Sequence, residues 1–533
     1  VFDTDTHCFW YYDGSTWLRL MEGWGLQGND SIDADIHYIG PKNAMPLRFK
    51  INDQPAGNID YDTKWNTSFG SMTLPFHTSG SYNTAIGGQA LSSNTTKDHN
   101  TAVGYQALYQ NVDGSFNTAV GSGAMANNIS GIYNIALGQN AMHNSNSSYN
   151  TAVGYDALGS LTSGEANTAL GYRSLSGNIA GNGNTALGYQ ALFNNRNSFN
   201  TAVGTQALAS NTTGPRNTAT GNGALFFNSA GGNNVAVGYN ALFYNLSDVN
   251  TAVGAYALEQ NRTGTGNVAM GFVSLINNTS GSWNAGYGSY ALNRNTSGYE
   301  NTAIGQAALL NNNDGTGNTA LGHDALKTNA HGNNNTAVGR FADVTDSTFE
   351  NATAIGFDAK VNASNKVRIG NVNVTVIEGQ VPFTVPSDGR FKFNVQEDVK
   401  GLDFIMRLRP VTYQFDVQRF AARNTNVKDT AYAQAMQLRR TGFIAQEVEQ
   451  AAIETGFNFS GINKPATTID HYSLSYESFV VPLVKGMQEQ QQQIRLQQDE
   501  IDELKKENES MKKENAALKK MVEELLQLVK QRL

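Results

Sequence analysis

The chain has 533 residues, 37 Lys+Arg against 45 Asp+Glu, a formal net charge of −8 at pH 7, and 54 glycines beside only 10 prolines. With 40% hydrophobic and 10% aromatic residues it reads as ordered and turn-rich rather than disordered. Between Asn66 and Asn351 only 8 Lys+Arg face 12 Asp+Glu, so no basic stripe exists to release counterions and no nucleic-acid partner is expected. The single cysteine, Cys8, excludes an intrachain disulfide framework and a Cys-based zinc site, and reads as a small semi-buried hydrophobe.

In chain order, residues 1–65 are dense in aromatics, with Phe9, Trp10, Tyr11, Tyr12, Trp17 and Trp24, and Asp13-Gly14 stands where a hairpin turn is expected. This predicts a small β-rich cap over the apolar edge that the terminal coil of a stacked fold exposes, or an attachment region. The opening residues, Val1 to Asp5, carry no signal-peptide pattern, so either the numbering starts after processing or the N-terminus is incomplete. No apolar run is long enough for a membrane-spanning helix.

From 66 to 371 the sequence keeps a metre. Eighteen glycines, from Gly70 to Gly356, return after 16 or 17 residues, mostly closing the phrase Asn-Thr-Ala-(Val/Ile/Leu)-Gly. A unit this short cannot enclose a core alone, so units must stack, and the fold class is mainly β: a repeat solenoid, a parallel β-roll of 18 coils. At about 4.8 Å per coil the stack would be roughly 85 Å long. The pairs Ala102-Val103 and Ala107-Leu108 flank Gly104, which predicts two short strands per coil. Asn94, Asn111 and Asn128, seven residues after motif glycines, and Gly114 and Gly131, ten after, read as corner residues with positive φ. The recurring alanines leave room for another wall, either the opposite side of the coil or a second chain. The Thr column (Thr84, Thr101, Thr118, Thr151) reads as a hydrogen-bonding ladder rather than an ice-binding face.

Asn83-Thr84-Ala85-Ile86-Gly87 and Asn335-Thr336-Ala337-Val338-Gly339 resemble the head repeats of trimeric autotransporter adhesins. In that family three chains pack about one axis as parallel β-rolls. The resemblance implies a trimer, although the period here is longer than the family's usual coil and the membrane barrel of those adhesins is not expected.

Residues 372–386 read as an alternating, strand-like linker, 387–475 as a mixed α+β segment, and 476–533 as a helix with a heptad seam. Ile494, Ile501, Val522 and Val529 share one seam position and Leu504, Met511, Leu518 and Leu525 the other, while Asn508 and Asn515 fall on the first. That pattern predicts a parallel oligomeric coiled coil whose register the buried amides fix.

Ser387-Asp388-Gly389-Arg390-Phe391-Lys392, then Leu408-Arg409-Pro410, Gly442-Phe443-Ile444-Ala445-Gln446-Glu447, and Tyr476 before the helix resemble, in this order, the C-terminal intramolecular chaperone domain of endosialidase-type phage tailspikes. The resemblance implies a domain that trimerises the chain, assists folding of the upstream fibre and then severs itself at Pro386-Ser387. It makes Ser387 the nucleophile and Lys392 its general base. A hydroxyl needs such a base at neutral pH, and desolvation or a neighbouring cation, here Arg390, favours the amine form.

The expected protein is therefore a homotrimeric extracellular fibre, on a cell surface or virion, with a surface glycan or protein receptor as partner and at most a single-turnover serine-lysine self-cleavage. No cofactor or metal is called for; the aspartate-bearing glycine nonapeptide of calcium-binding coils is absent. The competing reading, a glycan-degrading or glycan-binding tailspike, would need paired carboxylates. The acidic residues are scattered, as at Asp113, Asp156, Glu165 and Asp248, and cluster only at Asp343 and Asp346.

Overall fold

The computed structural model describes residues 2–3, 8–12, 14–19, 45–60, 63–75, 78–381, 383–422, 436–466 and 470–533. The chain divides into two units, Val1–Asn200 and Thr201–Leu533. In the first, eight three-residue strands run from Thr67–Phe69 to Thr185–Leu187. They pair in parallel without slippage, Thr84 with Thr101, Ala85 with Ala102 and Ile86 with Val103. In the second, ten run from Thr201–Val203 to Thr353–Ile355, followed by Val367–Ile369. Eight and ten strands make the 18 turns of a β-solenoid, one per motif glycine. Where the period shortens to 16, between Gly138 and Gly154, Ile135 still pairs with Thr151, so the missing residue comes out of the turns and not out of the ladder.

Alternation along each strand sends the alanine inward. Ala85, Ala102, Ala119 and their counterparts are wholly buried, which settles the room they leave as belonging to the coil's own interior. The expected second strand does not form in most coils. After Gly104 the residues two and four positions on, Gln106 (φ 56°) and Leu108 (φ 50°), are left-handed, and this alternation curls the segment into a turn. Ala107 N–H bonds back to the Gly104 carbonyl, while Leu108 N–H reaches the Ala124 carbonyl of the next coil at 3.0 Å. Coils are thus bonded on this side too, and Ala107 and Leu108 fill the interior. A second parallel pair appears near the end of the solenoid, Asp343–Val344 with Lys360–Val361.

The corner reading also needs correction. The motif glycines take positive φ, as at Gly104 (135°), but Asn94, Asn111, Asn128, Gly114 and Gly131 do not. The asparagines are buried hydrogen-bonding struts. Asn111 Nδ2 donates to the Gly114 carbonyl at 2.8 Å and to Asn94 Oδ1 one coil away at 3.2 Å. Gly114 is glycine because a Cβ there would lie 2.5 Å from the Gly131 carbonyl oxygen. The motif asparagines form a second buried column: Asn100 N–H donates to Asn83 Oδ1, and Asn100 Nδ2 to the Gly114 carbonyl at 2.9 Å. The second unit has an equivalent column, for example Asn267, Asn284 and Asn301. The Thr column points outward, and among the described residues no side-chain hydrogen bond links Thr84, Thr101, Thr118 and Thr151, so it is not a ladder.

At the N-terminal side, Cys8–Tyr12 and Trp17–Arg19 form the expected hairpin around Gly14 (φ 101°), with Phe2–Asp3 beside it. Trp24 lies outside the described residues, as do the side chains of Cys8, Phe9, Trp10 and Tyr11. A further hairpin, Leu47–Ile51 with Gln54–Ile59, pairs antiparallel with the first coil strand, Gly57 opposite Phe69, and so covers the edge of the ladder.

After the solenoid come helix α1 (Leu402–Arg407), the strand Val411–Gln414 paired with Arg439–Gly442, α2 (Val417–Ala422), α3 (Ala445–Glu454), a short pair Ile462–Asn463 with Ser473–Leu474, and α4 (Val480–Arg532). Phe404, Val448, Ala451, Ala452, Phe459 and Phe479 form one small core. Helix α4 packs on α1, with Gly486 against Leu402, but every residue from Gln490 to Leu533 is exposed. Among the described residues no helix is long and apolar enough to cross a membrane.

Two stability predictions follow from the coil geometry. A Cβ at Gly121 (φ 136°) would lie 2.5 Å from the Gly138 carbonyl carbon and oxygen, whereas one at Gly88 meets nothing closer than 3.5 Å. Gly121→Ala should cost on the order of 3 kcal/mol in denaturant unfolding and Gly88→Ala less than about 0.5 kcal/mol. Equal effects would reject the stacking constraint. At Asp343, burial pushes the carboxyl up to about 6 despite Lys360 and hydrogen bonds from Thr328 and Val344. The native state therefore holds the proton more tightly than the unfolded chain. The stability Asp343 contributes is full below pH 4 and falls by about 3 kcal/mol as pH rises through 6. Hydrogen exchange of residues 326–361 at pH 4.5 and 7 should show faster opening, after correction for intrinsic rates, at the higher pH, and Asp343→Asn should remove the difference.

Candidate self-processing site

Ser387 and Lys392 are five residues apart, and one tight turn closes the distance. Asp388 caps the 3-10 turn Gly389–Phe391 by accepting the Arg390 N–H at 2.9 Å. Phe391 N–H then bonds to the Asp388 carbonyl and Lys392 N–H to the Gly389 carbonyl. The chain reverses, and Lys392 Nζ donates to Ser387 Oγ at 2.7 Å. The two residues that the sequence singles out are brought together by local geometry alone.

Arg390 is placed differently from expectation. Its guanidinium grips Asp388, Nη2 to Oδ2 at 2.6 Å and Nε to Oδ2 at 2.9 Å. The hydrogen bonds from Arg390 hold the Asp388 carboxyl below its usual range, and Asp388 holds the guanidinium up. Arg390 therefore faces a carboxylate and is spent on shaping the turn. An ammonium has donors only, so base chemistry at Lys392 requires the amine form. Phe391 and Phe393 bracket Lys392 and are 80% and 91% exposed in the single chain. Covering them would strip water from the pair.

The remaining motif residues are structural. Arg409 pairs with Glu447 of α3, Nε to Oε2 at 3.1 Å, which lowers the Glu447 carboxyl. Tyr476 Oη accepts the Phe443 N–H at 3.0 Å, and a Cβ at Gly442 would lie 2.2 Å from that oxygen. The Leu402 N–H at the start of α1 bonds to Glu489 of α4 at 2.7 Å. These contacts tie the start of α4 to the domain that follows Ser387.

That domain is also seated on the last coils. Lys366 Nζ meets Asp470 Oδ1 at 3.0 Å, and Asn362 Nδ2 meets His471 Nδ1 at 3.1 Å. Phe420 stands edge-on to His471, with Arg368 above Phe420. Sequence reasoning missed this seam because its residues are 109 and 104 positions apart and belong to no motif.

Elsewhere the solenoid offers ladders rather than open sites. The rings of Tyr82, His99, Phe116, Tyr133 and Tyr149 stack at 4.8–5.6 Å, so ring faces that a sugar would need cover one another. Asp343 is tied to Thr328 and Asp346 to Thr348, and Asp156 bonds to Arg173 and Ser176.

Residues 387–457 match the family described as the chaperone of endosialidase, and the match opens on Ser387. A solenoid of 18 turns followed by this domain fits a fibre with an intramolecular chaperone domain. A comparison with curated proteins gives no match.

Burial, then Lys366 and Arg368, depresses the His471 pKa below 6.5, with Asp470 opposing. The seam favours neutral imidazole, so its stabilisation is present above pH 6.5 and is lost as pH falls through the depressed value. Hydrogen exchange of residues 360–369 should report looser seating at pH 5 than at pH 7.5, and His471→Gln should flatten that dependence.

Proposed function

We propose that the chain is a homotrimeric extracellular fibre protein, of the surface-filament or phage tail-fibre kind, whose C-terminal domain is an assembly chaperone that cuts itself free at Pro386-Ser387. The single observation that carries this reading is the 2.7 Å contact between Lys392 Nζ and Ser387 Oγ at the first residue of the chaperone match. Support for the assembly comes from α4. Ile494, Ile501, Leu504, Met511, Leu518 and Leu525 are each about half exposed on a helix of 53 residues whose far end, among the described residues, is uncovered. Such a seam is satisfied by parallel copies of itself, and three copies tied there start their solenoids in step.

In the cleavage step the Lys392 amine takes the Ser387 hydroxyl proton as Oγ attacks the Pro386 carbonyl carbon. The Pro386–Ser387 amide bond breaks, the Ser387 nitrogen gains a proton, and an ester remains on Oγ. Water then hydrolyses the ester to leave a Pro386 carboxylate and a free Ser387 hydroxyl at a new N-terminus. Phe391 and Phe393 flank the pair, and their cover by neighbouring chains would exclude water from it, so cleavage follows assembly.

On a denaturing gel the wild type should resolve into residues 1–386 and 387–533, whereas Ser387→Ala stays full-length and Lys392→Met slows cleavage at least about 100-fold. Full-length bands from all three under assembling conditions would count against self-cleavage. Sedimentation equilibrium should give three chain masses for Ser387→Ala, and a single chain mass would end the assembly reading.

A further inference from the structure

The outward side chains of the solenoid strands form two parallel columns in each unit. One is the residue just before each motif glycine, the other the residue two positions earlier. In the first unit the former column includes Ile86, Leu170 and Leu187, exposed by 42%, 43% and 41%; in the second it includes Ile304, Leu321 and Ile355, at 43%, 44% and 41%. The latter column is mostly threonine, with free hydroxyls. The side chains repeat at every coil on a ladder without slippage, so what is exposed is a continuous apolar band, not scattered surface leucines.

Charge is absent from this band. All 20 charged residues between Asn66 and Asn351, 8 basic and 12 acidic, fall at other positions of the coil, and none occupies either column. Exposed β-faces that must stay apart are ordinarily blunted by lysine or glutamate. Here the sequence leaves the face smooth while charging the turns, as at Asp113, Glu165, Arg262 and Asp314.

We propose that this Thr/aliphatic band is the surface through which a second copy of the chain packs along the solenoid. The inference rests on the assembly reading above and adds the face that assembly uses. The size fits. At about 4.8 Å per coil and roughly 10 Å across its three residues, the band covers roughly 380 Å² in the first unit and roughly 480 Å² in the second. Summed over the chain this reaches the roughly 800 Å² per partner of a standard interface. The occupant also follows from register. Copies joined in parallel at the α4 seam bring equal coils to equal height, so equal positions of the three bands converge about the common axis, aliphatic beside aliphatic.

The test uses the full chain in a Ser387→Ala, Cys8→Ser background, with single cysteines introduced by Val120→Cys or Ile304→Cys on the band, or by Ser163→Cys or Ser280→Cys in exposed turns away from it. Each variant is treated with a short bis-maleimide, and its mass is measured by sedimentation equilibrium. Band cysteines should cross-link up to about two-thirds of the chains as dimers, the ceiling for three copies with one thiol each, and turn cysteines several-fold less. An oligomer in which band cysteines stay unlinked, or link no better than the turns, overturns the band while leaving the assembly intact. A single chain mass for every variant overturns the assembly reading and the band with it.

Discussion

Within each unit a motif glycine lies against the next, and this contact governs the fold. The carbonyl of one glycine occupies the place where its neighbour's Cβ would be, 2.5 Å from the ideal position at Gly104 and Gly121. No other residue type fits, and the positive φ at the same positions reinforces the requirement. Once coils approach this closely, the backbone groups of strand and turn fall within reach of the next coil, and the two buried asparagine columns become obligatory. Every amide carbonyl that accepts from the neighbouring coil's N–H replaces water that the interior excludes. Losing one member would strand two partners at roughly 1 to 3 kcal/mol each.

This explains what was legible in the sequence. Spacing of Gly and of the inward alanine gives the coil and its stacking, because both respond to a short contact that side-chain type alone reports. The second half of the coil was not legible. Ala107-Leu108 reads as a strand pair by composition, yet Leu108 is left-handed, a conformation costing about 1–2 kcal/mol for an L-residue. Burying the leucine completely and bonding its N–H to Ala124 offsets that cost. Propensity reasoning sees the local penalty but not the burial that overrides it. The asparagines mislead in the same way: a residue type common at corners is here chosen for its amide, which is both donor and acceptor and therefore propagates a column.

At the candidate site the division is similar. The Ser387–Lys392 pair came from the resemblance to the chaperone domain rather than from its spacing, and one capped turn brings the two together without help from the rest of the fold. The role of Arg390 was not, since whether a cation faces Lys392 or Asp388 is decided by rotamer and turn geometry. Gly442, Arg409 and Tyr476 look functional as motif members. In the structure they are the fastenings of a small core, holding strand, α3 and the start of α4 together.

The repetition that makes the solenoid stable also deprives it of information. Coils present nearly the same strand, Thr-Ala-Val or Thr-Ala-Leu, with the same pairing throughout each unit. Two solenoid faces displaced by one coil would lose only about a tenth of their contact in a ten-coil unit, too little to reject a slipped register. Alignment must be specified by something outside the repeat, and in the assembly proposed above helix α4 supplies it, because Asn508 and Asn515 fall on a seam position where a buried amide selects register. The domain joined to it is fixed on the final coils through Lys366–Asp470 and Asn362–His471. In that assembly, helix register would pass to coil register through these short, specific contacts. In the assembly proposed above, the order of events then follows from entropy. Non-local pairing of long identical faces is slow until the ends are held together, so the part of the chain that can be aligned must come together before the part that cannot align itself.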